Sequence, residues 1–389
     1  LQVLAARSEQ ARALIGQAEA LRLPVLAAGT RTDSTDVTGF DSSNKFGTGA
    51  ELIWELDVWG KARKGVEAQR AAYQASRADW RAGYLVIVGG VVDTYFQIRR
   101  LDRRLVEQRR ALEQSRTILD IYRKLYHRGL ASSSQLSSQE AELHALRVGL
   151  ADLERARALA QNALASLIGA VPGEFHLEDT AAKEAIAIPS VPAGLPSDLL
   201  SRRPDLLAAE YRLLQAVSLE GQARLSRLPT VGLTGIGGSA SFGLSNLLDT
   251  WTAGLSSVLQ FPVFDPNVRA RIRTSEAEVH VAEQQYRASV LRAFEEVESV
   301  LINLHSHTQQ RADLLARLGK LEDVNRLTRR QLELGLLSHL DVLEQERSLL
   351  AAQQAVIDNE WQVLSDTVAL FKALGGGWPP EVPGAVAQR

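Results

Sequence analysis

No proline interrupts the stretch from Gly60 to Arg128, which reads as one helix almost throughout. At about 1.5 Å per residue such a helix is on the order of 100 Å long. A second proline-free run, Val268 to Glu333, matches it, and return helices follow near Ser134 to Ile168 and Ser338 to Leu374. No compact domain accommodates rods of that length, so the chain is mainly α-helical and extended rather than globular. Ala, Leu, Arg, Glu and Gln dominate and aromatics make up 6%, a composition suited to long packed helices.

The sequence carries its architecture twice. Leu1 to Pro24 resembles Leu206 to Pro229: Gly16 pairs with Gly221, Ala18 with Ala223, and Arg22-Leu23-Pro24 with Arg227-Leu228-Pro229. In the same register "LIWELDVWG" from Leu52 resembles "SVLQFPVFD" from Ser257, and Trp59 matches Phe264. One residue out of that register, "RGLASSSQLSSQEAELH" (Arg128 to His144) echoes "LGLLSHLDVLEQERSLL" (Leu334 to Leu350), so that Gly129 matches Gly335 and Ser132 matches Ser338. Each unit runs helix, two strands, long helix, turn, return helix. This spacing is far longer than a solenoid repeat and indicates tandem duplication of a whole unit. The glycines supply turn conformations that other residues resist, and the serines are placed to cap the return helices.

Four short segments alternate with a period of two. From Phe46 to Leu56 the even positions are Phe46, Thr48, Ala50, Leu52, Trp54 and Leu56; the odd positions include Lys45, Gly47, Gly49, Glu51 and Glu55, with Ile53 as the exception. From Trp251 to Phe261 the odd positions are Trp251, Ala253, Leu255, Ser257, Leu259 and Phe261, and the even ones are mostly polar or small. Partner strands near Val25 to Asp36 and Thr230 to Ser241 alternate more weakly, and polar tips "VTGFDSSNK" and "FGLSNLLD" close the hairpins. Strands of about 11 residues cross a bilayer at a tilt. A face of a β-sandwich is the alternative reading of the alternation, and the long flanking helices favour the membrane. Four strands cannot close a barrel, and an open edge in lipid would leave backbone groups unsatisfied. Three copies supply twelve strands, within the range of membrane barrels. Glu51 and Glu55 then face the barrel lumen. Trp54 and Trp251 belong at the membrane interfaces, while Trp59 reads equally as packing beyond the strand.

Charge is nearly balanced, at −2, and no half is strongly basic, so the electrostatic footprint of a nucleic-acid partner is missing. Without cysteine, disulfides and thiolate metal sites are excluded. There is no methionine either, even at position 1, which points to processing, truncation or unrecorded methionines; no signal peptide is visible. The apolar run "YLVIVGGVV" at Tyr84 is too short for a membrane-spanning helix. His305 and His307 stand two apart on a helix and do not converge, and "GIGG" at Gly235 opens no helix as a dinucleotide loop must. Glu295, Glu296 and Glu298 read as solvated helix charges. No catalytic dyad, cofactor motif or metal set emerges, so the chain reads as neither an enzyme nor a cofactor protein.

"WELDVWGKAR", "LLSRRPDLLAAE", "GLTG", "PVFD", "AFEEVES", "GLLSHLDVLEQERSLLAAQ" and "LFKALGGGW" occur in that order. Together they resemble the outer-membrane factor family, the TolC-like exit ducts of tripartite efflux pumps and type I secretion, and the drug-efflux branch in particular. The resemblance covers essentially the whole chain. It implies a homotrimer with a twelve-stranded barrel in the outer membrane, a twelve-helix tunnel through the periplasm and a mixed equatorial region. It also implies a periplasmic adaptor and an inner-membrane pump as partners, and small-molecule cargo. Family members usually begin well upstream, often with an acylated cysteine, whereas Leu1 lies within the helix before the first hairpin.

On this reading residues 1–22 are the helix of the first repeat, 23–57 its membrane hairpin, and 58–170 its long helix, tip turn and return helix. Residues 171–203 link the repeats. Residues 204–228, 229–263 and 264–374 repeat the series, and 375–389 form a C-terminal tail. Leu340 and Glu344, four apart, share a helix face. By resemblance that face lines the pore constriction, with rings of Leu340 and Glu344 forming a periplasmic gate; Leu340 as core and Glu344 as a solvated charge is the alternative. Asp341 lies on another face and is placed to pair with a basic neighbour such as Arg329 or Arg330. The function so implied is a passive export duct opened by splaying of the tips. A type I secretion duct and a soluble coiled-coil adaptor or scaffold are the alternatives.

Overall fold

The computed structural model describes residues 1–35, 43–178, 202–242 and 244–376. The Pro-rich linker at Ala187 to Asp198, Ser201, most of the first hairpin tip and the tail from 377 onward fall outside the described residues. The elements are α1 (Gln2–Ala20), β1 (Val25–Thr35), β2 (Ser43–Leu56), α2 (Lys61–His127), α3 (Ser133–Ile168), α4 (Pro204–Leu225), β3 (Thr230–Ser241), β4 (Thr252–Gln260), α5 (Pro266–Glu333) and α6 (His339–Ala373). A single 3-10 turn, Leu244–Asn246, interrupts the connection between β3 and β4. Two compact units result, residues 1–83 with 204–291 and residues 84–203 with 292–389, and the helices α2 and α5 contribute to both.

The first unit holds the sheet, antiparallel in the order β1-β2-β3-β4. The two hairpins are joined through β2 and β3, from Phe46 opposite Ser241 to Leu56 opposite Val231. Glycine permits a close approach at this seam: a Cβ on Gly238 would lie 2.6 Å from the Thr48 carbonyl oxygen, and one on Gly49 would lie 2.8 Å from that of Gly237. Two indole N–H groups pin the strand ends. Trp54 donates to the Arg22 carbonyl at 2.9 Å and Trp59 to that of Pro229 at 2.7 Å. The two long helices start differently. Asp57 reaches past Gly60 to accept from the backbone N–H groups of Ala62 and Arg63, both at 3.0 Å. At the start of α5, Asp265 immediately precedes the helix and accepts from Asn267 N–H at 2.8 Å.

In the second unit the helices pack with a coiled-coil period. Along α2 a buried seam runs through Ile98, Leu101, Leu105, Gln108, Leu112, Ser115, Leu119 and Tyr122, stepping alternately by three and four, with Asp102 buried beside it. α3 answers with Gln139, Leu143, Leu146, Leu153, Ala160 and Leu164. Polar seam residues have partners: Gln108 donates to the Leu146 carbonyl at 2.9 Å, and Gln139 to the Ser115 hydroxyl at 3.0 Å. The same step marks the less exposed face of α5, through Ala293, Val297, Val300, Leu304, His307, Arg311 and Leu314. Such a 3.5-residue period keeps one stripe facing a neighbouring helix along the whole length.

Candidate gate and channel wall

Both helical hairpins turn in the same way. Gly129 has φ +72°, its N–H donates to Tyr126 O at 2.9 Å, and Leu130 N–H donates to Leu125 O at 2.9 Å. Gly335 also has φ +72°, with Gly335 N–H to Leu332 O and Leu336 N–H to Gln331 O, both at 2.9 Å. This pair of bonds satisfies the last carbonyls of a helix and needs a left-handed residue, which is why glycine occupies both positions. Ser132 and Ser338 then cap α3 and α6 as reciprocal capping boxes. The third residue of the box is Gln135 in the first hairpin and Asp341 in the second.

Asp341 is thus committed locally. It accepts from Ser338 N–H at 3.0 Å and from the Ser338 hydroxyl at 2.6 Å. Those bonds, side chain first and backbone second, hold its carboxyl below the usual carboxylate range. The basic neighbour suggested for it from sequence, Arg329, donates instead to Glu346 at 2.7 Å. One turn on, Glu344 is exposed, while Val342 and Leu343 are buried. The Leu340 side chain lies outside the described residues. Arg347 makes a two-nitrogen ion pair with the buried Glu142 of α3. That hydrogen bonding comes first in raising the Arg347 pKa; burial opposes it, and the charges of Glu142 and Glu344 add to it. Between the hairpins lies a cleft of about 350 Å³ whose walls include Ile118, Ile121, Leu332, Val342 and Leu343.

The sheet register sorts its side chains onto two faces. One carries Leu26, Ala28, Leu52, Trp54, Leu56, Val231, Leu233, Leu255 and Leu259; the other carries Arg31, Asp33, Lys45, Glu51 and Glu55. Charge therefore collects on one side, and the ion pairs Arg31–Asp33 at 2.8 Å and Lys61–Glu55 at 3.1 Å stand there. Trp251, 66% exposed, precedes β4. Among the described residues no helix is long and apolar enough to cross a membrane.

A model of the family described as outer membrane efflux protein matches residues 1–170 and 195–376. The chain belongs to the outer membrane efflux protein family. Among its relatives, the pyoverdine export outer membrane protein OpmQ of Pseudomonas putida is 31% identical over 92% of this chain and 76% of its own length. The cation efflux system protein CusC of Escherichia coli is 28% identical over 97% of this chain and 83% of its own. In structure the chain is similar to the outer-membrane channel OprN, with a TM-score of 0.89 at 26% identity, covering 97% of this chain and 87% of OprN. This efflux protein accordingly has the mixed fold of the outer-membrane channels, mainly helical with a small antiparallel sheet, and it resides in the outer membrane.

Several residues of the efflux protein have roles that its sequence hides. Glu296 is not a free helix charge: Arg203 donates to it at 2.7 Å and to the Ala373 carbonyl at 3.0 Å. Arg203 belongs to the quoted "RRPD" motif, but nothing in the spacing pairs it with a residue so far along the chain. His307 sits 2.6 Å from Asp366 through Nδ1, an interhelical contact rather than half of a His305–His307 pair.

Proposed function

We propose that this efflux protein is the outer-membrane exit duct of a tripartite efflux system, a passive channel for drugs and other small toxic compounds. The observation that carries the reading is the open four-stranded sheet with one apolar and one charged face. In the described residues β1 and β4 each pair with one strand only, and lipid tolerates no unpaired edge. Closure by two further copies gives twelve strands, a size known for membrane barrels. The apolar face, with Trp54 and Leu255, meets lipid; the charged face, with Glu51 and Glu55, lines a wet lumen. The internal duplication then supplies six helical hairpins per trimer and a helical tunnel in the periplasm.

In this reading the tips formed around Gly129, Ser132, Gly335 and Ser338 carry the gate. Rings of Leu340 and Glu344 narrow the pore, the first by apolar packing and the second as an acidic ring that favours cations. A periplasmic adaptor, working with an inner-membrane pump, opens the tips only through higher affinity for the splayed state. The cleft between the hairpins gives such an adaptor an apolar seat. Cargo spans pyoverdine, cations and solvents among relatives, by their names, which suits a duct whose selectivity lies in its partners.

Two measurements test the proposal. Light scattering of the detergent-solubilised protein should give the mass of three chains; a water-soluble monomer would end the duct reading and favour a scaffold. Deletion in the native host should sensitise cells to a panel of small toxic compounds. Loss of protein secretion without any drug sensitivity would favour a type I secretion duct instead.

A further inference from the structure

The connection between β3 and β4 departs from the polar tip that "FGLSNLLD" suggests. Phe242, Leu244, Leu248 and Trp251 stand 73%, 67%, 67% and 66% exposed. Ser239, near the end of β3, is by contrast only 4% exposed. Its hydroxyl donates to the Leu247 carbonyl. Ser239 lies opposite Thr48 and alternates with Gly237, Gly235 and Leu233, so its side chain belongs to the apolar face of the sheet. The Leu247 carbonyl must lie on that face to accept the bond. The connection therefore folds back over the apolar side rather than across the side that bears Arg31 and Glu51.

The connection satisfies part of its own backbone there, with Leu247 N–H donating to Leu244 O and Asp249 N–H to Asn246 O at 3.2 Å. Its apolar residues continue a surface already formed by Leu255, Ala253 and Trp251 along β4. Trp251 between an apolar strand face and the polar Asn246 and Asp249 is the composition of a membrane–water boundary.

We propose that this connection is a collar that embeds in the outer leaflet of the outer membrane, with Leu244 and Leu248 among the acyl chains. The proposal rests on the assignment of the apolar sheet face to lipid, made above. A plug reaching into the lumen would require the Ser239 bond to form on the opposite face of the sheet.

The protein has no cysteine, so single nitroxide labels are straightforward. Leu244→Cys and Leu248→Cys test the collar independently of one another; Leu255→Cys and Glu51→Cys are controls for the two sheet faces. Each labelled protein is reconstituted in lipid vesicles, and collision with oxygen is compared with collision with a water-soluble nickel chelate. At 244, 248 and 255 oxygen should dominate; at 51 the chelate should. If 255 and 51 behave so but 244 and 248 favour the chelate, the collar is wrong and the face assignment stands. Protection of 244 and 248 from both colliders would mean that protein covers them, which also overturns the collar. Chelate access at 255 would overturn the face assignment and the collar together.

Discussion

The Arg157 guanidinium of α3 lies 2.5 Å from the Asp102 carboxylate of α2, and Asp102 is only 5% exposed. Arg99 approaches the same carboxylate at 3.3 Å, and Arg157 also donates to the Leu177 carbonyl at 3.2 Å. One buried acid thus ties α2, α3 and the segment that follows α3. Removing one partner of a buried pair leaves the other charge uncompensated, at a cost of about 3–5 kcal/mol. Asp102→Ala should lower the midpoint of thermal loss of helical signal in detergent, and Asp102→Asn should lower it less. An unchanged midpoint for Asp102→Ala would show that water solvates the pair.

The two tips should differ in their response to acid. The folded pKa of Asp341 is depressed, so its cap contributes stability above the ordinary carboxylate range. That contribution is lost as pH falls through the lower, folded value. The matching residue of the first tip, Gln135, does not titrate. Amide exchange at the start of α6 should therefore speed up on acidification relative to the start of α3, after correction for intrinsic rates. Asp341→Asn should abolish the difference; equal behaviour of both tips in the unsubstituted protein would contradict the capping role.

Leu340→Ala and Glu344→Ala should each raise single-channel conductance in planar bilayers. Glu344→Ala should also weaken cation preference, because it would remove the acidic ring proposed above. Unchanged conductance in both variants would remove these residues from the constriction.

Gly238→Val should damage assembly more than its small size change suggests. A Cβ at Gly238 would lie 2.6 Å from the Thr48 carbonyl oxygen, which is backbone and cannot swing away. Strands β2 and β3 would separate where the two hairpins join. The readout is the yield of heat-resistant oligomer on semi-native gels. Gly237→Val is the control, since nothing lies within 4 Å of a Cβ there; equal losses for both variants would show that the close approach is not the cause.

The strands and long helices were legible because each depends on a local pattern. Alternation between Phe46 and Leu56 and the absence of proline after Gly60 need no knowledge of the rest of the chain. The tips were legible because Gly129 and Gly335 answer a backbone demand that few other residues meet. The polar seam was not. Gln108, Ser115, Asp102 and His307 look like surface residues until a distant helix supplies a partner. Arg203 and Glu296 are invisible as a pair for the same reason. Asp341 misled in the opposite direction: its partner, Ser338, is nearer in sequence than the arginines its charge suggested. The fold-back of the β3–β4 connection rests on one serine hydroxyl, which hydropathy cannot register.

The sheet order has a consequence for growth of the ring proposed above. Among the described residues its two edges are unlike strands, β1 of the first hairpin and β4 of the second. Two copies cannot join through identical antiparallel edges unless one is inverted across the bilayer. Assembly of the proposed trimer is therefore directional, each newcomer adding head to tail as in other heterologous rings. Its intermediates would be open arcs, and curvature rather than edge chemistry would decide when the last gap closes.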